Sequence, residues 1–224
     1  MTTLLDLRTR FYNRFDEGQQ NYISVSEANS LINEGAAHLH NWIINSAEFY
    51  LWKETLITLV VGQMDYDLPV DFLKALKVFS LGNQAPPYSY IPIARVMPEE
   101  FRGFQPGFYG VYSQFQDGSY GYMIMGNKLR LLPVPSQAQV GIALWYSPVY
   151  TPMALDTDTT EISVAPGWEE FVINQAVIAA RIKEESDTQQ LERRQAQITA
   201  MIEQSMVNRD MGRHQHVVDV DDGL

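Results

Sequence analysis

The chain has 224 residues, 46% of them hydrophobic and 19% charged, which suits one large domain or two small ones and excludes a disordered chain. Its formal net charge is -11 and it has no cysteine, so disulfides, thiolate metal sites and cysteine nucleophiles are excluded, and holding nucleic acid by phosphate neutralisation is disfavoured. Met1-Thr-Thr-Leu-Leu-Asp-Leu-Arg8 places charges in the first turns, which predicts no signal peptide, and no run approaches the roughly 18 apolar residues of a bilayer span. The expectation is a soluble protein.

Leu4, Leu7, Phe11 and Phe15 recur at helical spacing, with Arg10 and Arg14 on another stripe, and predict a first helix over residues 3–15. After a polar break at 17–21, Ser24 and Glu27 form a capping-box pattern in which each side chain satisfies an orphan amide. Ala28, Leu31, Ile32, Gly35, Ala36, Leu39, Trp42 and Ile43 then make one apolar face, a second helix reaching about Ser46.

From Leu56 the period shortens. Residues 56–61 and 64–68 read as a hairpin around Gly62-Gln63, ended by Pro69, which cannot donate to a ladder. Residues 75–81 predict a strand with Leu76, Val78 and Ser80 on one face and Lys77, Phe79 and Leu81 on the other. Gly82-Asn83 and Pro86-Pro87 mark a loop. Residues 120–125 and 128–132 flank Gly126-Asn127 as a short hairpin, and 140–146 is a further strand. That gives about six strands, in an antiparallel sheet or small sandwich.

Pro166 suits the first turn of a third helix. Its Trp168, Phe171, Val172, Ile173, Ala176, Val177, Ile178, Ala179, Ala180 and Ile182 are apolar nearly all round, as at the centre of a bundle. Asp187 and Gln190 offer a second cap to a more polar helix over 188–208, whose stripe of Leu191, Ile198, Met201, Ile202 and Ser205 is thin. Residues 210–224 show no periodicity and read as an extended tail. The order predicts an α+β fold. Residues 1–50 and 166–209 form a helical bundle, 51–165 an inserted antiparallel β lobe with an aromatic loop at 101–122, and 210–224 the tail.

No catalytic constellation emerges, and the expectation is a protein without enzymatic activity, cofactor or metal. The glycine- and aromatic-rich run 103–110 lacks the lysine of a phosphate loop, and Ser113 is not flanked by glycines as in a nucleophile elbow. His38 and His40, two apart on a helix, diverge. His214 and His216 with Asp219, Asp221 and Asp222 are metal-friendly residue types, but a tail must be ordered before it binds. The competing readings are a solvated tail and one that orders on a partner through Val217, Val218, Val220 and Leu224. Glu99-Glu100 and Glu169-Glu170 sit at expected helix starts, where carboxylates favour the dipole. Phe101, Phe104, Phe108, Tyr109, Tyr112, Phe115, Tyr120 and Tyr122 read either as a loop folded over its own sheet or as an interface protrusion. Arg102 is the segment's only positive charge, which argues against stacking single-stranded bases; stacking sugars stays open.

Three segments carry a family resemblance: Tyr66-Asp-Leu-Pro-Val-Asp-Phe72, Gly126-Asn-Lys-Leu-Arg-Leu-Leu-Pro-Val-Pro135, and the strand Val140-Gly-Ile-Ala-Leu-Trp-Tyr146 leading to Pro166-Gly-Trp-Glu-Glu-Phe-Val172. Over residues 24–208 the chain resembles the head-to-tail adaptor, or head-completion, proteins of tailed bacteriophages. The resemblance implies a structural virion protein at the head–tail junction, assembled in the host cytoplasm, with no membrane partner. It implies a dodecameric homo-oligomeric ring under the portal, through which double-stranded DNA passes without specific binding. It also implies a C-terminal extension docking on the portal protein, here Met211, Arg213, His214, His216, Val217, Val218, Val220 and Leu224. The segment 101–122 departs from the family in length and aromaticity. Phe104, Phe108, Tyr109, Tyr112, Phe115 and Tyr120 are the candidate contacts to a neighbouring subunit, the tail nozzle or another tail protein. The alternative from a different class is a carbohydrate-binding or carbohydrate-cleaving tail module using the same aromatics.

Overall fold

The spacing of Leu4, Leu7, Phe11 and Phe15 buries all four on one face of helix α1 (Leu4–Phe15) in the computed structural model. That structure describes residues 2–15, 22–47, 49–82, 85–97, 120–135 and 139–209. Two units form, one of residues 1–50 with 151–224 and the other of residues 51–150.

In the first unit, helix α2 (Val25–Ser46) begins at Ser24, whose hydroxyl accepts the Glu27 amide at 3.2 Å. The expected capping box is only half formed, because the Glu27 carboxylate pairs with Lys183 instead of turning back. Helix α3 (Trp168–Lys183) touches α1, α2 and helix α4 (Gln189–Arg209), so it is the centre of the bundle. It starts later than Pro166 suggested: Gly167, in the left-handed region at φ 78°, is the N-cap, and Pro166 stands outside the helix. α3 is not buried on every side, however, since the apolar Ile182 is 61% exposed. Helices α2 and α3 approach closely at Gly35, where a Cβ would lie 2.9 Å from the Val172 carbonyl oxygen.

α4 buries a narrow seam of Ile198, Ile202 and Met206, while Met201, expected in that stripe, is 66% exposed. Its start differs from the expected Asp187–Gln190 pair. Asp187 Oδ1 accepts the Gln189 amide at 3.0 Å, and the Thr188 carbonyl accepts the Glu192 amide at 2.9 Å.

The second unit holds two four-stranded sheets. One runs β1 (Lys53–Leu59), β8 (Gln139–Pro148), β3 (Phe72–Leu81), β4 (Tyr90–Pro92); the other β2 (Asp65–Asp67), β7 (Lys128–Leu132), β6 (Gly121–Met125), β5 (Ala94–Arg95). The strands not anticipated are the short β4 and β5, and β5 pairs parallel with β6, so the second sheet is mixed. The hairpin expected around Gly62 does not form: β1 pairs with β8 and β2 with β7, in different sheets. The turn itself is present, with Gly62 at φ 78°. The chain leaving it changes sheet, held by the Tyr66 hydroxyl, which accepts the Val60 amide at 3.1 Å and donates to the Gln63 carbonyl at 3.0 Å. The hairpin at Gly126-Asn127 does form, with Met125 opposite Lys128 and Gly126 at φ 58° as its first central residue.

Alternation decides the faces. Val78, Ile142, Leu144, Ile57 and Leu59 from one sheet pack against Tyr66, Tyr122, Leu129 and Leu131 from the other, which makes a sandwich core. Phe79, Leu81 and Ala143 form a second cluster with Tyr88 and Trp145, so β3 presents the two faces its sequence predicts.

Candidate interaction surfaces

Most of the residues singled out for contact lie outside the described residues: Phe104, Phe108, Tyr109, Tyr112 and Phe115 of the aromatic stretch, and Met211, Arg213, His214, His216, Val217, Val218, Val220 and Leu224 of the tail. Of the aromatic run, Tyr120 is half-buried against the sandwich core and Tyr122 is 9% exposed within it. Burial pushes both phenols above their ordinary pKa. His38 is exposed and His40 buried, and among the described residues no cluster of His, Asp and Glu is arranged to hold a metal.

The motif at 66–72 is built from fold-holding groups. Besides the Tyr66 hydroxyl, the Leu68 amide donates to the Asn127 carbonyl at 3.0 Å. Asp71 accepts Lys53 Nζ and the Tyr146 hydroxyl, each at 2.9 Å. Burial raises the Asp71 carboxyl, but those two hydrogen bonds, the Lys53 charge and a backbone hydrogen bond together leave its pKa below the usual carboxylate value. Asp65 takes a two-pronged bond from Arg130 directly across the ladder, at 2.7 and 2.8 Å.

In the helical unit, Glu169 and Glu170 open α3, as their sequence position suggested for carboxylates, and also act as clamps. Glu169 pairs with Arg10 and accepts the Thr2 hydroxyl. Glu170 accepts Arg14 at 2.9 Å and Arg194 at 3.0 Å, tying α1 and α4 to the start of α3. The Arg14 hydrogen bond, above all, holds the Glu170 carboxyl below its ordinary value. Sequence reasoning missed two asparagines with similar roles. Asn174 is fully buried and donates to the Leu191 carbonyl at 2.9 Å and Gln195 Oε1 at 2.8 Å. Asn33 exchanges two hydrogen bonds with the Met153 backbone, at 2.8 and 2.9 Å, docking the chain that returns from the β unit. An asparagine amid apolar helix residues was the only signal available for Asn174.

Among the described residues, two surfaces stand out once these internal duties are assigned. The outer face of the β1-β8-β3-β4 sheet carries an aromatic cluster. Trp145 meets Trp52 at 4.7 Å, Phe79 at 4.8 Å and Tyr90 at 6.0 Å between ring centroids. Glu54 accepts the Trp145 indole at 3.1 Å and also bonds the Tyr90 phenol, which it pushes up in pKa. Trp52 at 44% and Tyr90 at 39% exposure leave this cluster half open, a face of aromatic anchors with few rotors. The second surface is a groove of about 620 Å³ along α4, from Gln190 to Ser205, with Ile198 and Ile202 as floor and Arg193 and Met201 among its walls.

Both surfaces suit protein contact, and neither holds an arranged nucleophile, base or ligand set. Among the described residues no helix is long and apolar enough to cross a membrane. No curated protein matches the chain. A family described as SU10 adaptor protein has a model that matches residues 2–219, a span that takes in both units and most of the tail. On that match the chain belongs to the SU10 adaptor protein family, and is a structural adaptor of a phage particle.

Proposed function

We propose that this adaptor forms a ring joining the capsid portal to the tail and lining the channel through which DNA passes. The observation that carries the reading is the family match across residues 2–219. The bundle would build contacts between subunits, residues 210–224 would clasp the portal, and the β unit would meet tail components. The half-open aromatic face around Trp145 supports that last role, as does the aromatic stretch containing Tyr109 and Tyr112. The net charge of -11 suits a wall that must repel DNA rather than hold it.

Native mass spectrometry of the chain alone and mixed with a portal ring tests the reading. Several copies per portal are expected, with binding lost when 210–224 is deleted and the circular dichroism spectrum of the folded units retained. Full binding by the truncated chain would overturn the clasp, and no binding by the full chain would overturn the portal as partner. Tyr109→Ala with Tyr112→Ala should weaken tail attachment at unchanged melting temperature; a fallen melting temperature instead makes the loop a core element.

A further inference from the structure

The groove along α4 has a composition that its own neighbours do not use. Its lining residues recur at three- and four-residue steps from Gln190 to Ser205, a stripe about 22 Å long at helical rise. Ile198 and Ile202 give it an apolar floor and Met201, 66% exposed, an apolar rim. Two arginines stand at its upper end. Arg194 is engaged by Glu170, whereas Arg193 forms no ion pair among the described residues. The groove therefore asks for an extended segment whose apolar side chains come first and whose acidic ones follow.

The chain supplies such a segment directly after α4. Residues 217–222 read Val-Val-Asp-Val-Asp-Asp, and Gly212 offers a turn three residues past the helix end at Arg209. An extended chain advances about 3.3 Å per residue while a helix rises about 1.5 Å. Running back from Gly212, Val217 travels about 17 Å, or roughly 11 helical residues, which sets it beside Ile198. By the same arithmetic Asp219 reaches about 23 Å and Asp221 about 30 Å, bracketing Arg194, Arg193 and Gln190. Apolar then meets apolar, and acid meets arginine, in one register.

We infer that the α4 groove is a docking site for the chain's own segment 217–222, folded back in cis. The linker is short, so closure costs little and the local concentration of the segment is high. In this arrangement the segment is stored on α4 until something binds it more tightly. The inference stands apart from the portal reading, because its test needs no second protein.

The native chain has no cysteine, so an engineered pair reports cleanly. In the full-length protein at micromolar concentration, Met201→Cys with Val217→Cys should close an intramolecular disulfide under mild oxidation. The control is Glu203→Cys with Val217→Cys, since Glu203 lines the opposite flank of α4. The groove pair is expected to close about tenfold faster than the control, a difference set by effective concentration. Adding Arg193→Glu should bring it down to the control rate. Equal rates for the two pairs, or a product that is only a cross-linked dimer, would overturn docking in cis. A rate indifferent to Arg193→Glu would overturn the acid–arginine register.

Discussion

Gly35→Ala sets a helix-propensity gain against a steric loss, and the structure says which wins. Replacing a glycine in a helix interior by alanine favours the helix by about 1 kcal/mol. Here the added Cβ would stand 2.9 Å from the Val172 carbonyl oxygen and 3.4 Å from Gln175 Cβ. That oxygen belongs to the backbone of α3, whose Val172, Ile173 and Ala176 are all at most 1% exposed. It cannot rotate away as a side chain end would, so α2 and α3 must separate by several tenths of an ångström. Overpacking of this kind costs about 1–3 kcal/mol, which leaves a net loss of about 1 kcal/mol and at most about 2. Far-ultraviolet circular dichroism during heating should show the helical transition roughly 2–6 °C lower. Ser30→Ala, on the exposed face of the same helix, provides the propensity effect without the contact and should melt at or slightly above wild type. A Gly35→Ala protein more stable than wild type would refute the close approach of the two helices.

Three further outcomes follow from the clamps. Tyr66→Phe removes a hydroxyl bonded to the Val60 amide and the Gln63 carbonyl, and should cost the β unit about 1–3 kcal/mol in denaturant unfolding. Asn174→Ala removes the buried side chain that bonds the Leu191 carbonyl and Gln195, and should cost a similar amount, seen as earlier proteolysis within α4. Glu170→Gln should cost less than about 1 kcal/mol at neutral pH, because the carboxylate is 44% exposed and screened by solvent. Its folded pKa is depressed below 4.5, so the stabilisation is present above that value and lost as pH falls through the folded pKa. The melting temperatures of the wild type and the Glu170→Gln variant should therefore converge in acid, and a gap that widens there would contradict the assignment.

The α+β fold was legible wherever one period ruled a segment. Leu4, Leu7, Phe11 and Phe15 went inside because helical spacing puts them on one face, and β3 split its residues between two clusters because a strand must. The misreadings arose where a local signal was right but its partner was remote. Gly62 does turn the chain, yet pairing of β1 with β8 and β2 with β7 depends on residues roughly 60 to 90 positions away in sequence. Met201 satisfies the periodicity of α4 and is still exposed, because a helix that packs chiefly against α3 buries a narrow seam. The aromatic face around Trp145 was invisible for a related reason. Trp52, Phe79, Tyr90 and Trp145 come from four separate stretches, and only strand order brings them together.

The same distribution explains how the chain's charge works. Arg8, Arg10, Arg14, Arg130, Arg181 and Arg194 are each engaged by a carboxylate, as are Lys53, Lys128 and Lys183. These pairings leave the net charge at -11 but remove cations that could otherwise exchange for the counterions of a phosphate backbone. Acidity alone would permit a local basic patch. Committing the arginines to internal clamps at Glu169, Glu170, Asp65 and Asp156 withdraws that possibility from much of the described surface. The groups that fix the helices to one another are thus withdrawn from contact with phosphates, which suits the proposed channel wall.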